Sequence, residues 1–316
     1  MKPHLELLAP AKINLFLELD SKRPDGFHEL ETVMVCVNLC DRLNFVVRDD
    51  HEIHLSVGEG SLGELPPVND NLVTKALRLL QQRYSVTQGM NVCLTKRIPS
   101  QAGLGGASSD TATALAAANK LWGICLPLDE LAKIGAELGS DVPFFIYGGT
   151  ARCTGRGEKV NSIESLMSYP VLIAKPPVGL STPEVFQYCE IPSGKSSSEP
   201  LLIAILRRNN SAVRRGMLNR LQPAANKVTE WTQKLSYLFE GLGCVSHQLS
   251  GSGSCYFGLF HNWNLLRNAA GRLLQRSPNL ALYSCQAIGP LAQNCPGFLG
   301  NRPCPRLSTE IHREDN

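Results

Sequence analysis

The sequence predicts a protein of mixed α and β structure that folds as two domains. With 316 residues, the chain is long enough for two ordinary domains with a substantial core. Strand patterns occur in both halves: residues 10–19 alternate between apolar and polar positions, and residues 171–174 are a short apolar run. Helical patterns separate the strands and include an alanine-rich stretch at residues 111–119.

The composition indicates a small molecule as the binding partner. The chain has 31 lysines and arginines and 28 aspartates and glutamates, so its net charge is close to neutral. Such a balance does not favour binding to nucleic acid or to a membrane surface. The 11 cysteines are odd in number and form no CxxC pair, which indicates reduced thiols in a cytosolic protein. The first residues lack the apolar core of a signal peptide, and no apolar run approaches the ~20 residues that span a bilayer, so we expect a cytoplasmic location.

The first predicted strand places two polar side chains on one face. In the alternation of residues 10–19, Lys12 and Asn14 point the same way and the aliphatic residues point the other way. An edge strand with a solvated polar face would also explain Lys12 without any function. That explanation leaves open why two hydrogen-bonding side chains follow directly after Pro10.

A tight turn is predicted at residues 23–28, where Pro-Asp-Gly precedes Phe27 and His28. Taken alone, such a pair is more often a loop anchor than a ligand contact. Residues 30–48 then predict two strands, with alternating valines before a break at Asp41.

Two helices are predicted on either side of the most informative loop of the chain. Asn71 or Asp70 can cap the first, and the second extends over residues 128–138. Asp141 follows the second helix and could simply cap a short further helix. Residues 148–165 are rich in turns and are expected to lead toward the second domain.

The loop at residues 99–109 has the composition of a phosphate cradle, with three glycines and three serines between a strand and a helix. The first N–H groups of a helix have no intrahelical partners, and glycine lets a phosphate approach the backbone closely. The spacing fits neither the dinucleotide pattern nor the P-loop, which closes with Lys-Ser or Lys-Thr. The loop therefore takes its cations from elsewhere in the fold or from a metal. The alternative is a glycine-rich connection capped by Ser108 or Ser109.

The second half contains a helix start and a second glycine segment. Thr182 and Pro183 follow a capping serine, and Phe186 lies on the first turn of that helix. Residues 249–254 lead into a strand, and their small side chains let a backbone approach a ligand from the side opposite the first loop; a tight turn is the alternative. From residue 294 onward the apolar periodicity fails, which predicts a tail with little structure.

Three segments resemble, in order and spacing, the motifs of the galactokinase, homoserine kinase, mevalonate kinase and phosphomevalonate kinase (GHMP) superfamily. These are residues 10–14, residues 103–109 and residues 250–254. Within the superfamily, residues 23–28 and residues 138–145 resemble the 4-diphosphocytidyl-2-C-methyl-D-erythritol kinase family. The resemblance covers nearly all of the chain before the predicted tail.

The resemblance implies an α+β, GHMP-kinase-like fold with the active-site cleft between two domains. It divides the chain into an N-terminal ATP-binding domain at residues 1–160, a C-terminal domain at residues 161–292 and the tail at residues 293–316. It also implies a monomer or homodimer that binds neither nucleic acid nor membrane.

The activity that the resemblance implies is ATP-dependent phosphorylation of the 2-hydroxyl of 4-(cytidine 5'-diphospho)-2-C-methyl-D-erythritol, with Mg²⁺ accompanying ATP, in the non-mevalonate route to isoprenoid precursors. The catalytic residues of the family fall on Lys12 and Asp141. The implied ATP-binding residues are Lys96, Pro99, Ser100, Gln101, Ala102, Gly103, Leu104, Gly105, Gly106, Ala107, Ser108 and Ser109. The implied substrate-binding residues are Asn14, Phe27, His28, Phe186, Gly251, Ser252 and Gly253. The family more often has tyrosine at the position of Phe27, so this chain keeps the ring and loses a hydroxyl.

In the implied mechanism, Asp141 orients or deprotonates the acceptor hydroxyl and Lys12 stabilises the transferring phosphoryl group. Backbone N–H groups of the loop hold the β-phosphate. The alternatives are a kinase of the superfamily for another alcohol, the related diphosphomevalonate decarboxylase, and a non-catalytic sensor on the same fold. The presence of both Lys12 and Asp141 argues against the sensor.

Overall fold

The computed structural model describes residues 2–63, 65–164, 169–191 and 193–288, so the predicted tail lies outside the described residues. The strands are β1 (His4–Lys22), β2 (His28–Arg48), β3 (Ile53–Val57), β4 (Gly89–Thr95), β5 (Thr150–Gly155), β6 (Lys159–Ile163), β7 (Pro170–Lys175), β8 (Leu218–Asn219), β9 (Ser246–Leu249), β10 (Tyr256–Leu259) and β11 (Ala281–Gln286). The helices are α1 (Leu72–Tyr84), α2 (Gly106–Leu121), α3 (Leu128–Leu138), α4 (Val142–Tyr147), α5 (Thr182–Gln187), α6 (Glu199–Leu206), α7 (Asn210–Gly216), α8 (Gln222–Val228), α9 (Glu230–Phe239) and α10 (Trp263–Arg276). In this part of the chain, no helix has the length and apolar character that crossing a membrane requires.

The first sheet has seven strands and is built around the long antiparallel pair β1 and β2. Its order is β3-β4-β2-β1-β8, with β5 paired to β2 and β6 paired to β5. The predicted turn joins β1 and β2, and it is closed by backbone hydrogen bonds from the Arg23 N–H to the Phe27 carbonyl and from the Gly26 N–H to the Arg23 carbonyl. The explanation of Lys12 as a residue on the solvated face of an edge strand is wrong, because Lys12 is only 4% exposed.

The prediction of two strands over residues 30–48 is also wrong, because β2 passes without a break through Asp41. The Asp41 side chain is wholly buried and bonded to the segment that follows β4, so a charged residue stays inside a strand. Near Asp41 the pairing of β1 with β2 contains a bulge instead of a strand break. Pro10 of β1 pairs with Cys40, but the next residue, Ala11, pairs with Val37.

Four helices, α1 to α4, pack on one face of the first sheet through a single apolar cluster. This cluster includes Phe45, Leu77, Leu115 and Phe144. Two helix predictions are confirmed: the Asn71 side chain caps α1 by accepting a hydrogen bond from the Val73 N–H at 2.9 Å, and α3 has the predicted bounds. Helix α2 begins earlier than predicted, at Gly106, so Ser108 and Ser109 lie inside it.

The second sheet has the order β11-β7-β10-β9, with every adjacent pair antiparallel. One face packs against α8, α9 and α10. The other face packs against the first sheet through a shared cluster. That cluster includes Ile13, Val35, Val171 and Phe257. The two sheets are therefore in direct contact, and β1 lies at their junction.

The two halves of the chain interleave. Strand β8, from the second half, pairs in parallel with β1 at Phe16 and Leu17. Strands β5 and β6 form a hairpin of the first sheet, so residues 148–165 are not the connection that the sequence predicted. Since β6 extends to Ile163, across the predicted boundary at residue 160, we propose that the first domain ends after Ile163.

Candidate active site

A cavity of about 970 Å³ lies where the two glycine segments and the turn at residues 23–28 face one another. It collects residues from both halves of the chain, including most of the predicted site. The predicted residues that line it are Lys12, Asn14, Phe27, His28, Lys96, Pro99, Ser100, Gln101, Ala102, Gly103, Leu104, Gly105, Gly106, Ala107, Ser108, Asp141, Phe186, Gly251 and Ser252.

Two predicted site residues do not line the cavity. Ser109 is wholly buried in α2, on the side of the helix that faces the protein interior. Gly253 faces the apolar side chains of Leu180 and Leu249. Neighbouring residues on a helix point in different directions. Ser108 can therefore line the cavity while Ser109, the next residue, points into the protein interior.

Lys12 and Asn14 form a buried hydrogen-bonded chain at the base of the cavity. The Lys12 ammonium donates to Asn14 Oδ1 at 2.7 Å, and the Asn14 amide donates to Thr32 Oγ1 at 2.9 Å. Thr32 Oγ1 in turn donates to the Phe16 carbonyl at 2.6 Å. This series of hydrogen bonds holds the Lys12 side chain in one position. It also confirms the prediction that Lys12 and Asn14 lie on the same face of the strand.

Asp141 faces Lys12 across the cavity, with 3.7 Å between its Oδ2 and the Lys12 Nζ. It occupies the N-cap position of α4, yet among the described residues its carboxylate makes no capping hydrogen bond. The capping alternative is therefore wrong for the side chain, which is 34% exposed and open to the cavity. Burial lowers the pKa of Lys12 below its usual value, and the charge of Asp141 opposes that effect.

The first glycine segment presents backbone to the cavity. Gly105 takes the N-cap position of α2 with φ of 72°, and within the described chain no side chain caps this helix. The alternative of a connection capped by Ser108 or Ser109 is therefore wrong. The first N–H groups of α2, at residues that line the cavity, are available to an anion.

The second glycine segment is both the turn between β9 and β10 and a wall of the cavity. Ser250 Oγ donates to the Gly103 carbonyl at 3.0 Å, and the Cys255 N–H donates to the Ala102 carbonyl at 3.1 Å. A Cβ at Gly251 would lie 3.1 Å from Lys12 Nζ and 3.2 Å from Asn14 Oδ1. The segment therefore packs directly on the phosphate loop and on the lysine, and only glycine leaves room there.

Buried Gln248 supports Asn14 from the second sheet. Its Nε2 donates to the carbonyls of Asn14 and Leu15 at 2.8 and 3.1 Å. The pairing of β1 with β2 is irregular between Asn14 and Phe16, and the glutamine satisfies carbonyls at this irregularity. No sequence pattern pointed to Gln248.

Aromatic side chains gather at the other end of the cavity. Phe27 is 48% exposed, and the guanidinium carbon of Arg156 lies 5.0 Å from the centre of its ring. The rings of His28 and Phe186 lie 5.1 Å apart, although they come from different halves of the chain. Burial lowers the pKa of His28, with a smaller contribution from the positive charge of Lys22.

Sequence reasoning missed several cavity residues. Thr32 completes the lysine network, Arg156 lies over an aromatic ring, and Asp110 follows the phosphate loop. Other cavity residues that were not predicted as site residues include Ser140, Gly157, Thr182 and Gln187. Only Asp110 carried a signal, because it directly follows the loop and is the single acidic residue of α2.

Models of protein families match two parts of the chain: the GHMP kinases N terminal domain matches residues 71–149, and the GHMP kinases C terminal domain matches residues 201–277. The 4-diphosphocytidyl-2-C-methyl-D-erythritol kinase of Shouchella clausii is 40% identical over 252 residues, which are 79% of this chain and 84% of that protein. The kinase of the same name from Geobacillus kaustophilus is 39% identical over 259 residues, which are 82% of this chain and 89% of that protein. The chain belongs to the 4-diphosphocytidyl-2-C-methyl-D-erythritol kinase family.

Solved structures agree with this assignment. A crystal structure of 4-(cytidine 5'-diphospho)-2C-methyl-D-erythritol kinase matches with a TM-score of 0.74 and 30% identity, covering 90% of this chain and 100% of the other. The structure of homoserine kinase from Cytophaga hutchinsonii matches with a TM-score of 0.74 and 19% identity, covering 92% of this chain and 96% of the other. At that identity, the match supports the fold alone. The predicted α+β GHMP fold and the predicted family are confirmed. As a member of this kinase family, the protein is a small-molecule kinase, an enzyme class that uses ATP.

Proposed function

We propose that this protein transfers the γ-phosphoryl group of ATP to the 2-hydroxyl of 4-(cytidine 5'-diphospho)-2-C-methyl-D-erythritol, within the non-mevalonate route to isoprenoid precursors. The observation that carries the proposal is the position of the Lys12 and Asp141 pair. The pair lies in one cavity between a backbone-lined phosphate loop and an aromatic end. That order matches the order of donor phosphate, reacting hydroxyl and nucleotide base in the two substrates.

Asp141 is the residue that we propose to accept or orient the proton of the acceptor hydroxyl. Its carboxylate is open to the cavity and free of a capping bond within the described residues. A general base must reach the proton that it removes, and a carboxylate that is open to the cavity meets that need.

Lys12 is proposed to stabilise the transferring phosphoryl group. Phosphoryl transfer spreads negative charge over the phosphoryl oxygens, and positioned cations account for much of the acceleration. The hydrogen bond to Asn14 holds the ammonium in place before substrates bind. The backbone N–H groups at the start of α2 would hold the β-phosphate.

Mg²⁺ is the cofactor expected with ATP, and the donor set of the cavity fits it. Asp141 and Ser108 both line the cavity and offer oxygen ligands, which Mg²⁺ prefers. These two residues would hold the ion, which when bound neutralises charge on the phosphate oxygens.

The aromatic end is proposed to hold the cytosine ring. Phe27 and Phe186 offer ring faces, and His28 offers a hydrogen-bonding nitrogen beside them. Base stacking on such rings contributes about 1–3 kcal/mol per base. Stacking requires only the ring face, so the phenylalanine found in place of the family's usual tyrosine is compatible with this role.

The test is incubation with Mg-ATP and a panel of alcohols, followed by mass analysis of the products. We expect one phosphoryl group to be added to the diphosphocytidyl substrate, with ADP released and no CO₂. Phosphorylation of homoserine, galactose or mevalonate instead would move the protein to another branch of the superfamily. ATP and acceptor binding without ADP production would support the sensor alternative. The cytoplasmic location and the monomer or homodimer stay predictions.

A further inference from the structure

Asp41 is a buried carboxylate that none of the roles above uses. It lies inside β2 with no exposed surface. Its Oδ1 accepts hydrogen bonds from the backbone N–H groups of Arg97 and of Ile98, the latter at 2.8 Å. These two residues directly precede the phosphate loop at residues 99–109, so one oxygen of Asp41 holds the entry of that loop.

The second oxygen of Asp41 reaches the exit of the same loop through a lysine. Asp41 Oδ2 accepts a hydrogen bond from Lys96 Nζ, which also donates to Asp110 Oδ2 at 2.7 Å. Asp110 lies in α2, directly after the loop. The Lys96 side chain is only 12% exposed, so its ammonium is committed to two buried carboxylates.

The charges in this cluster support a fixed arrangement. Burial acts to lower the pKa of Lys96, but the charges of Asp110 and Asp41 outweigh it, and the pKa lies above its usual value. Burial also raises the pKa of Asp110 well above its usual range. Lys96 is therefore a cation held between two acidic side chains. It would affect a bound phosphate by fixing the conformation of the loop.

We infer that Asp41 is a positioning residue for the nucleotide, because its carboxylate ties the entry of the phosphate loop, at Arg97 and Ile98, to the exit, at Asp110, through Lys96. The inference rests on the proposed use of this loop for ATP. It assigns Lys96 the same positioning role.

The loop depends on such ties because its own residues do little to stabilise it. Gln101, Gly103 and Gly105 all have positive φ values, of 50°, 71° and 72°. Bonds to Ser250 and Cys255 hold the middle of the loop, but a backbone with several left-handed residues keeps one conformation only if its ends are held as well. With both ends held, the N–H groups at the start of α2 point to one place before ATP arrives, and less freedom is lost on binding.

The experiment is a calorimetric titration of Mg-ATP into the full-length protein without acceptor, comparing wild type with Asp41→Asn. The amide can still accept from the loop entry, but its NH₂ faces the Lys96 ammonium, so the tie to the exit is broken. We expect the Kd for ATP to rise about tenfold, while the acceptor KM in the kinase assay stays within about twofold. Because the titration contains no acceptor, its result is independent of the acceptor proposed above.

The matched control is Glu18→Gln. Glu18 is also a wholly buried acid of the first sheet, and it accepts from the Arg220 guanidinium at 2.6 and 2.7 Å. This variant should lower the Tm and leave the Kd for ATP unchanged. An unchanged Kd in folded Asp41→Asn, or equal weakening in both variants, would overturn the inference. If Asp41→Asn folds poorly, the double variant with Lys96→Met removes both charges, and the same Kd criterion applies to it.

Discussion

The two ends of the cavity are built in different ways. The phosphate end is a single continuous segment that offers backbone N–H groups. The aromatic end is built from side chains that come from three separate segments, and about half of the Phe27 surface is exposed. A backbone-built site depends on the conformation of a few neighbouring residues, whereas a side-chain-built site depends on each ring separately. Substitutions should therefore affect the two substrates separately, except where the two ends meet.

The largest effect is expected at Asp141, where the two ends meet. Asp141→Asn should lower kcat by at least about 10²–10⁴-fold, as expected for a lost general base, while folding and ATP binding are retained. Folding should survive because the carboxylate makes no capping bond in the described structure. Steady-state kinetics and a melting curve check this. The control is Glu130→Gln, an acid in the first turn of α3 outside the cavity lining, which should be silent. A variant that keeps more than about a tenth of the wild-type kcat would remove the assignment.

The next effect separates the aromatic end from the phosphate end. Phe27→Ala and Phe186→Ala should each raise the acceptor KM about 5- to 150-fold, because a stacked ring contributes about 1–3 kcal/mol. The ATP KM should stay within about twofold, and Phe27→Tyr should be nearly silent because it keeps the ring face.

Varying each substrate in turn, with a melting curve beside it, measures this. If both rings are only loop anchors, the alanine variants will lose thermal stability and weaken both substrates alike.

A smaller effect, on the other substrate, is expected at Gly103. Its φ is 71°, and a Cβ there would lie 1.9 Å from the Ser250 carbonyl oxygen. Gly103→Ala should raise the ATP KM about tenfold, since left-handed backbone costs alanine about 1–2 kcal/mol before the clash is counted. The acceptor KM should change less.

Gly123→Ala is the matched control. It has a φ of 65°, but no described atom lies within 4 Å of the added Cβ. It should lower the Tm without affecting ATP. Equal ATP KM values in the two variants would show that the contact with Ser250 has no functional weight.

The smallest effect concerns pH at the aromatic end. Burial lowers the pKa of His28 below its usual value, so the ring is neutral at pH 7. The unfolded chain takes up the proton more readily than the folded protein. The free energy of unfolding should therefore decrease as pH falls below about 6.5. If neutral His28 bonds the base, the acceptor KM should rise about threefold between pH 7 and pH 5, the loss of one hydrogen bond. His28→Gln should flatten that profile; an identical profile in the variant would exclude His28 as its source.

The sequence by itself determined those features that depend on neighbouring residues. The glycine spacing at residues 99–109 predicted an exposed backbone before a helix, Asn71 predicted the start of α1, and the alternation at residues 10–19 predicted that Lys12 and Asn14 share a face. Backbone dihedral preferences, caps and strand periodicity act over a few residues, so a short stretch of sequence is sufficient to reveal them.

Only the tertiary structure decided which distant side chains meet. It placed Asp141 opposite Lys12 without a capping role, and it placed Gln248 behind Asn14. It also turned Asp41, which resembled a break between strands, into the buried link beneath the phosphate loop. A buried charge is stable only where partners from other elements satisfy it, and those partners are selected by the packing of strands and helices far apart in the chain.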